Sequence, residues 1–231
     1  MRKNQYGQMV GDDLPGWTPR LFPQKITLNG SYCRLEPVSI EKHAQDLYEA
    51  HNLPDDGKLW TFLQHHQPAG QAEFLSYMRE LSASNDPLHF AVIDRKSNKA
   101  LGSLALMRID AASGVVEIGH VNYSLSLQKT IPATEAIYLL LRYIYEDLGY
   151  RRCEWKCDNF NEASKKTALR FGFSFEGVFR QAVITKGRNR DTAWFASIDQ
   201  DWPALKRGFE SWLDASNFDA KGQQKRKLGF L

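Results

Sequence analysis

The chain has 231 residues, of which 42% are hydrophobic and 25% are charged, and its formal net charge at pH 7 is +3. This length and composition fit one globular domain with a full hydrophobic core, or one domain with short appendages. So small a charge gives no reason to expect binding to nucleic acid or to a membrane, and three cysteines argue against a disulfide framework.

The start of the chain and its cysteines favour a reducing compartment. No apolar run follows Met1, so we expect no signal peptide, and no stretch is long enough to span a bilayer. Cys153 and Cys157 lie four residues apart in a segment with the pattern of a strand, without a second Cys/His pair at zinc spacing. We therefore expect buried thiols, no metal, and a cytoplasmic protein that does not associate with membranes.

The first third of the chain begins with residues 1–24, which combine glycines and prolines with isolated aromatics. This pattern predicts an extended arm laid on the domain or on a partner chain, which makes a homodimer possible. The Asn29-Gly30 pair predicts a hairpin turn between strands at 25–28 and 32–37. Two helices follow by their spacing, one over 39–50 with Ser39 as its N-cap and one over 71–82.

The rest of the chain alternates strands and helices. Short polar turns predict an antiparallel meander, and Gly149 and Gly172 are expected to end two helices. The predicted elements are strands 89–94, 101–109 and 115–123, helix 133–148, strand 152–157, helix 162–171, strands 173–184 and 191–198, and helix 203–213. The fold class is α+β, with a mixed, mostly antiparallel central sheet flanked by helices. The domain is expected to cover residues 25–215, followed by a basic, mobile tail over 216–231.

The junction between the strand ending at Tyr123 and the next helix is a candidate anion-binding site. Thr130 can cap this helix, and the free amides after it, with the positive end of the helix dipole, could hold an anion. Lys129 adds a positive charge at the rim. Every helix needs a cap, so the segment alone supports an ordinary helix start equally well.

Further motifs surround this junction in a recognisable order. Glu-Ile-Gly-His (117–120) precedes it, Ala-Thr-Glu-Ala (133–136) ends it, and Asn161-x-x-Ser164 and Phe-Gly-Phe-x-Phe-Glu-Gly (171–177) follow. Together, over roughly residues 28–200, they resemble the GNAT superfamily of acyl-CoA N-acyltransferases, and within it the branch of ribosomal-protein N-terminal acetyltransferases. The phosphate loop departs from the superfamily's glycine-rich pattern, because Ile131 replaces the first glycine and Pro132 has no amide hydrogen.

The resemblance implies an acyl-CoA N-acyltransferase fold, with acetyl-CoA as co-substrate and an amine as acceptor. It also implies that the acyl-pantetheine arm pairs with a strand that splays away from its neighbour. The residues implied to bind acetyl-CoA are Val121, Tyr123, Leu125, Lys129, Thr130, Ala133, Thr134 and Asn161.

Amide formation from a thioester needs a base near the amine and a proton for the departing sulfur. By resemblance Glu117 is the candidate base, acting through a water, although it could equally be a salt-bridge partner. His120 is a second candidate, or simply a packed histidine. Residues 168–170 lack the tyrosine that many of these enzymes use, so Ser164 is the candidate acid, unless it only satisfies the start of its helix.

The acceptor side carries weaker signals. By resemblance the loop at 53–68, with its aromatic and histidine side chains, lies over the acceptor groove, and Asp191 and Asp199 could attract a cationic amine. The leading interpretation is an acetyl-CoA-dependent N-acetyltransferase acting on a peptide N-terminus or a small amine. A non-catalytic acyl-CoA-binding or regulatory module remains an alternative. Nucleic-acid binding through the basic residues of the tail is a third and less favoured one.

Overall fold

The structure is a computed structural model that describes residues 1–51 and 57–230. Its strands are β1 (Arg2–Lys3), β2 (Met9–Val10), β3 (Leu28–Asn29), β4 (Cys33–Pro37), β5 (Leu88–Asp94), β6 (Ala100–Asp110), β7 (Val115–Tyr123), β8 (Arg152–Asp158), β9 (Ser174–Thr185) and β10 (Arg188–Ile198). Its α-helices are α1 (Ile40–His51), α2 (Gln71–Ala83), α3 (Ile131–Arg142), α4 (Glu162–Arg170) and α5 (Trp202–Leu213). The first part of the predicted acceptor loop, at 53–56, lies outside the described residues.

Eight strands form one sheet in the order β3-β4-β5-β6-β7-β8-β10-β9, and β1 and β2 form a separate small hairpin. Neighbouring strands in the large sheet are antiparallel except β7 and β8, which are parallel. These two pair only through Val115–Glu117 and Arg152–Glu154. Beyond Glu117, β7 therefore has no strand partner on that side. The mixed, mostly antiparallel sheet flanked by helices is confirmed.

The two faces of the sheet bury different helices, because side chains alternate along each strand. On one face Phe90 and Ile118 join a large core with Ile137 of α3. On the other face Ala91 and Ile93 pack in a smaller core with α1 and α2. All three cysteines are free and buried.

The predicted helix over 133–148 is regular only in its first part. After α3 the chain widens into a π-helical turn at Tyr143–Asp147, and Gly149 follows with a φ of 65°. Tyr143 and Tyr145 are both buried in this turn, and each hydroxyl contacts a residue from a distant part of the chain. The Tyr143 hydroxyl accepts from Gln24 N at 2.9 Å, and the Tyr145 hydroxyl lies 2.7 Å from Ser197 Oγ. Periodicity alone does not predict this widening.

The two terminal segments both contact the domain. In the arm, Trp17 Nε1 donates to Ala112 O at 2.9 Å and Arg20 N donates to Ala111 O at 2.8 Å. In the tail, the Phe230 ring packs 5.4 Å from Phe209 of α5. The mobility expected of the tail stays a prediction, but its aromatic end packs against α5. None of the helices within 1–51 and 57–230 has the length and apolar character that a membrane span requires.

Candidate active site

A cleft of about 1440 Å³ opens where β7 and β8 part. The end of β7 and the start of α3 line one side, and α4 lines the other. Trp212 and Phe218 close one end, while Leu59, just after the undescribed segment, lies at its border. The cleft thus opens within the sheet, between two neighbouring strands that stop pairing.

The start of α3 is built to leave amides free for a ligand. Thr130 caps the helix as predicted, since its Oγ1 accepts from Ala133 N at 3.3 Å and donates to Leu127 O at 2.6 Å. Lys129 has a φ of 60°, so it takes the left-handed turn. Ile131, which stands where the family pattern has a glycine, is the first residue of the helix, so its backbone does not need the left-handed dihedrals that favour glycine. Pro132 occupies the first turn, where a missing amide breaks no helical hydrogen bond.

Cations line this part of the cleft. Lys129 and Lys166 border it, and Arg170 Nη1 donates to Thr134 Oγ1 at 3.2 Å. The Arg170 guanidinium also lies 5.1 Å from the Trp212 ring centroid. Burial lowers the pKa of Arg170 from its ordinary value. A positive rim beside a helix N-terminus fits a phosphate-bearing ligand.

Most of the residues predicted to bind the co-substrate meet in this cleft. They are Val121, Tyr123, Lys129, Thr130, Ala133, Thr134 and Asn161. Leu125 does not line it and is 50% exposed. β7 ends at Tyr123, and turns follow in which Leu127 N and Gln128 N both donate to Ser124 O, so strand alternation does not extend to Leu125. The Tyr123 carbonyl already accepts from Gln128 Nε2 at 3.0 Å.

Ser164 lies in the first turn of α4 and faces the cleft. Asn161 caps this helix, and its Oδ1 accepts from Ser164 N at 3.0 Å. The Ser164 hydroxyl accepts from Trp155 Nε1 at 2.9 Å. It also contacts Cys157, whose pKa is raised by burial in spite of that contact. Ser164 is thus a cleft-lining hydroxyl that contacts both Trp155 and Cys157.

Glu117 occupies a different environment from the one its predicted role requires. It is 3% exposed and lies outside the lining of the cleft. Its carboxylate is 2.7 Å from Arg108 Nε and 3.1 Å from Lys156 Nζ, and Lys156 also lies 2.6 Å from Glu154. This geometry is that of a salt-bridge partner, which was the alternative to the base role for Glu117. A base role would require these ion pairs to rearrange, and it stays a prediction.

His120 lies at an irregularity of β7. Asn122 pairs with Ser103 and Gly119 with Ala105, so two residues of β7 oppose one residue of β6, and His120 has a φ of 48°. Its ring is 5.2 Å from that of His89. Burial is the main cause that lowers the pKa of His120 to about 4 and that of His89 to about 3. Both rings are therefore neutral at pH 7.

The described part of the acceptor loop packs under the β9–β10 hairpin. Trp60 is 2% exposed and its ring lies 5.5 Å from that of Tyr77. The hairpin tip holds this loop through its backbone, because Lys186 Nζ donates to Trp60 O at 2.6 Å and Arg188 Nη2 donates to Thr61 O at 3.1 Å. The tip of the hairpin is therefore tied to this loop.

The two carboxylates expected to attract an amine are engaged locally. Asp191 Oδ1 accepts from Gln181 N at 2.7 Å, and Asp199 Oδ1 accepts from Gln200 N at 2.9 Å. Both stabilise the backbone near their own positions. Among the described residues, no group of three or more His, Cys, Asp or Glu side chains is placed to hold a metal.

Sequence reasoning missed two residues of this region. Glu135 belongs to the quoted Ala-Thr-Glu-Ala motif, yet its role became visible only in the fold: it accepts from Ser31 N, Tyr32 N and Cys33 N at 2.6–2.7 Å. Arg190 was missed because the alternation of polar and apolar residues in β10 does not show which residues of other strands lie beside it. The motif itself could have identified Glu135, but no sequence signal identifies Arg190.

Comparison with known proteins agrees with this geometry. A family model described as acetyltransferase (GNAT) domain matches residues 33–174. The chain is similar to a GCN5-related N-acetyltransferase from Brucella melitensis, with 48% identity, a TM-score of 0.92, and coverage of 93% of this chain and 97% of that one. It is 25% identical over 130 residues to the uncharacterized N-acetyltransferase p20 of Bacillus licheniformis, covering 56% of this chain and 72% of p20.

One solved structure bears on the predicted branch. It is an acetyl transferase from Salmonella typhimurium, described as modifying the N-terminal serine of 50S ribosomal subunit protein L7/L12, with 21% identity and a TM-score of 0.64. The match covers 99% of that protein and 75% of this chain, and it shows a shared fold. The family model spans more than half of the chain, and the Brucella melitensis protein is similar over nearly its whole length. The chain belongs to the GNAT acetyltransferase family.

Proposed function

We propose that this protein transfers an acetyl group from acetyl-CoA to a primary amine, which attacks the thioester directly. The observation that carries the proposal is the parting of β7 and β8 beyond Glu117, beside the capped start of α3. A strand edge without a partner can pair with an extended ligand, and a helix start can hold phosphates. The cleft between them is large enough for a ligand of this size.

The residues present fit acetyl-CoA. Lys129, Thr130 and the backbone at Ala133 and Thr134 would hold the phosphates, with Lys166 and Arg170 adding charge. Val121 and Tyr123 would offer backbone to the pantetheine arm, and Asn161 would border it. Leu125 is the weakest member of this set, because it lies outside the cleft lining. When bound, acetyl-CoA supplies the activated acetyl group.

The chain's own residues would manage the protons. Ser164 is proposed as the donor to the departing sulfur, because its hydroxyl lines the cleft and Trp155 Nε1 fixes its oxygen by donating to it. Glu117 is proposed as the base through a water, in which case its ion pairs with Arg108 and Lys156 would rearrange when the acceptor binds. His120 is neutral at pH 7 and remains the second candidate base.

Calorimetry with acetyl-CoA and with desulfo-CoA tests the co-substrate site. We expect binding of both, and no binding at several hundred micromolar would refute the proposal together with the non-catalytic alternative. If acetyl-CoA binds, a thiol-release assay over small amines and peptides separates an enzyme from a binding module. Release of CoA that depends on the acceptor supports transfer.

Glu117→Gln tests the proposed base. Loss of a general base should lower kcat by about 100-fold or more and leave the affinity for acetyl-CoA unchanged. Ser164→Ala should lower kcat with acetyl-CoA in the same direction. The conservative control is Ser164→Thr, which keeps a hydroxyl. An unchanged kcat in Glu117→Gln would remove Glu117 as base and favour His120.

The acceptor class extends this proposal. The Salmonella protein is described as acting on an N-terminal serine, so a peptide N-terminus is one candidate and a small amine is the other. A cytoplasmic setting and a homodimer belong to the same proposal. Binding to nucleic acid is not part of it, and deleting residues 221–231 should remove any salt-sensitive RNA binding if it occurs.

A further inference from the structure

The acceptor side of the sheet contains a cation that no carboxylate balances. Six charged groups there form one cluster by salt bridges: Arg108, Lys156 and Arg152 with Glu117, Glu154 and Glu176. Three positive and three negative charges cancel in it. Arg190 of β10 stands outside this cluster, and no acidic group of the described residues forms a salt bridge with it.

The backbone of β10 decides which way Arg190 faces. Arg190 pairs with Val183 and Thr192 with Phe179, so β9 bulges between these pairs. Asp191, between them, reaches the bulge and accepts from Gln181 N. Side chains alternate along a strand, so Arg190, Thr192 and Trp194 lie on one face of the sheet and Asp191 lies on the other. The Trp194 ring lies 3.7 Å from Lys156 Nζ, which identifies this as the face of the charge cluster.

The charge of Arg190 acts on ionisable groups of both strands that part, β7 and β8. Its charge contributes to lowering the pKa of His120 on β7, after burial, His65 and Arg108. It also contributes to lowering the pKa of Cys157 on β8, against the larger effect of burial. This agrees with the sheet order, in which β10 pairs with β8 and β8 neighbours β7. The hairpin tip that carries it is tied to the acceptor loop at Trp60 and Thr61.

Three donors on this face lack partners. Within residues 1–51 and 57–230, Arg190 Nε, Thr192 Oγ1 and Trp194 Nε1 are buried and make no hydrogen bond. Thr192 is only 4% exposed. A buried donor without a partner costs about 1–3 kcal/mol, so a folded protein rarely leaves three together without a use.

We propose that these three groups bind a carboxylate of the acceptor, so that the protein acetylates amines that also carry a carboxyl group. The inference rests on the proposed function and names the acceptor class for that site. One guanidinium balances one negative charge, which favours a carboxylate over a doubly charged phosphate. The indole and the hydroxyl supply the remaining hydrogen bonds. The neutral rings of His89 and His120 add no charge to the site at pH 7.

Matched acceptor pairs test this, each an amino acid and its amide, in the thiol-release assay with the full chain. We expect kcat/KM to be about tenfold or more higher for the acid, the size of one charge-assisted interaction. Arg190→Gln should abolish that ratio by raising KM for the acid alone, and Arg190→Lys should restore part of it. The control is Arg180→Gln, which removes an exposed cation of neighbouring β9 and should keep the ratio.

Equal rates for acid and amide in the wild type, or a ratio unchanged in Arg190→Gln, would overturn the proposal while acetyl transfer stands. If no acceptor in the panel is acetylated, binding of the acetylated products tests the proposal instead. N-acetyl amino acids should raise the Tm of the CoA-loaded protein more than their amides do, and Arg190→Gln should remove the difference. No difference in the wild type would equally overturn the proposal. Absence of acetyl-CoA binding would instead refute the proposed function.

Discussion

Two carboxylates in this fold are equally buried, at 3% exposure each, yet their surroundings differ. Glu135 on the cofactor side accepts three backbone amides of the β3–β4 turn. Glu117 on the acceptor side meets two cationic side chains. Backbone partners cannot move away without unfolding the turn, whereas side-chain partners can exchange. On the side proposed to bind the co-substrate, Glu135 therefore belongs to a fixed frame, whereas on the side proposed to bind the acceptor Glu117 belongs to a network of ion pairs that can rearrange.

The largest effect should come from removing the centre of that network. Lys156→Ala leaves Glu117 and Glu154 buried beside each other without their shared cation, and should lower the free energy of unfolding by about 3–5 kcal/mol. Urea unfolding measures it. The matched control is Lys206→Ala, since this exposed lysine also lies between two carboxylates, Glu146 and Glu210, and its loss should barely move the midpoint. Equal effects would contradict the picture of a buried network.

The fixed frame should respond almost as strongly. Glu135→Ala leaves three backbone donors unsatisfied and should cost about 3 kcal/mol of unfolding free energy. It should also raise KM for acetyl-CoA, because Glu135 ties α3 to the sheet. Glu162→Ala, which removes an exposed first-turn carboxylate of α4, is the control and should leave both quantities nearly unchanged.

A second route to the same frame is steric. A Cβ at Gly30 would overlap the Glu135 carboxylate, while a Cβ at Gly11 would meet nothing within 4 Å. Gly30→Ala should therefore destabilise the protein and Gly11→Ala should not. If Gly30→Ala is neutral, the three hydrogen bonds of Glu135 are not as rigid as the comparison requires.

The acceptor side should also be the more sensitive to pH. The pKa of His120 is lowered to about 4 in the fold, so the unfolded chain binds its proton first as the pH falls below about 6.5. The stability that depends on a neutral His120 is complete above that pH and is lost towards pH 4. His120→Asn keeps a residue that tolerates the left-handed backbone.

Between pH 7 and pH 5 the wild type should lose about 2 kcal/mol more stability than His120→Asn does, as measured by urea unfolding at each pH. The control is His66→Asn, at an exposed position of the same region. A difference between wild type and His120→Asn that stays constant with pH would show that the ring is not held neutral by burial.

The smallest effect concerns the helix cap. Thr130→Ala removes the oxygen that accepts from Ala133 N and should cost about 1 kcal/mol. It should raise KM for acetyl-CoA without changing the preference between acid and amide acceptors. Thr130→Ser keeps the hydroxyl and should behave like the wild type. A change in acceptor preference would mean that the two sides of the cleft are coupled.

Local patterns predicted much of this molecule. Turn chemistry and strand alternation gave the β5–β7 meander within one residue at each end, and Thr130 and Asn161 cap their helices as expected. Such signals act over a few residues, so they survive without the rest of the fold. The same holds for the cofactor residues, which cluster because one strand–turn–helix segment carries most of them.

By itself the sequence determined the order of elements, the capped helix start and the family resemblance. The tertiary structure alone decided that Glu117 pairs with Arg108 and Lys156, that Leu125 lies in a turn outside the cleft, and that Arg190 forms no salt bridge with any of the described residues. The reason is physical: an ion pair or an unsatisfied donor depends on which distant strands become neighbours. Arg190 and His120 are 70 positions apart in sequence, and only the folding of β7 and β10 into one sheet lets the charge of Arg190 contribute to lowering the pKa of His120.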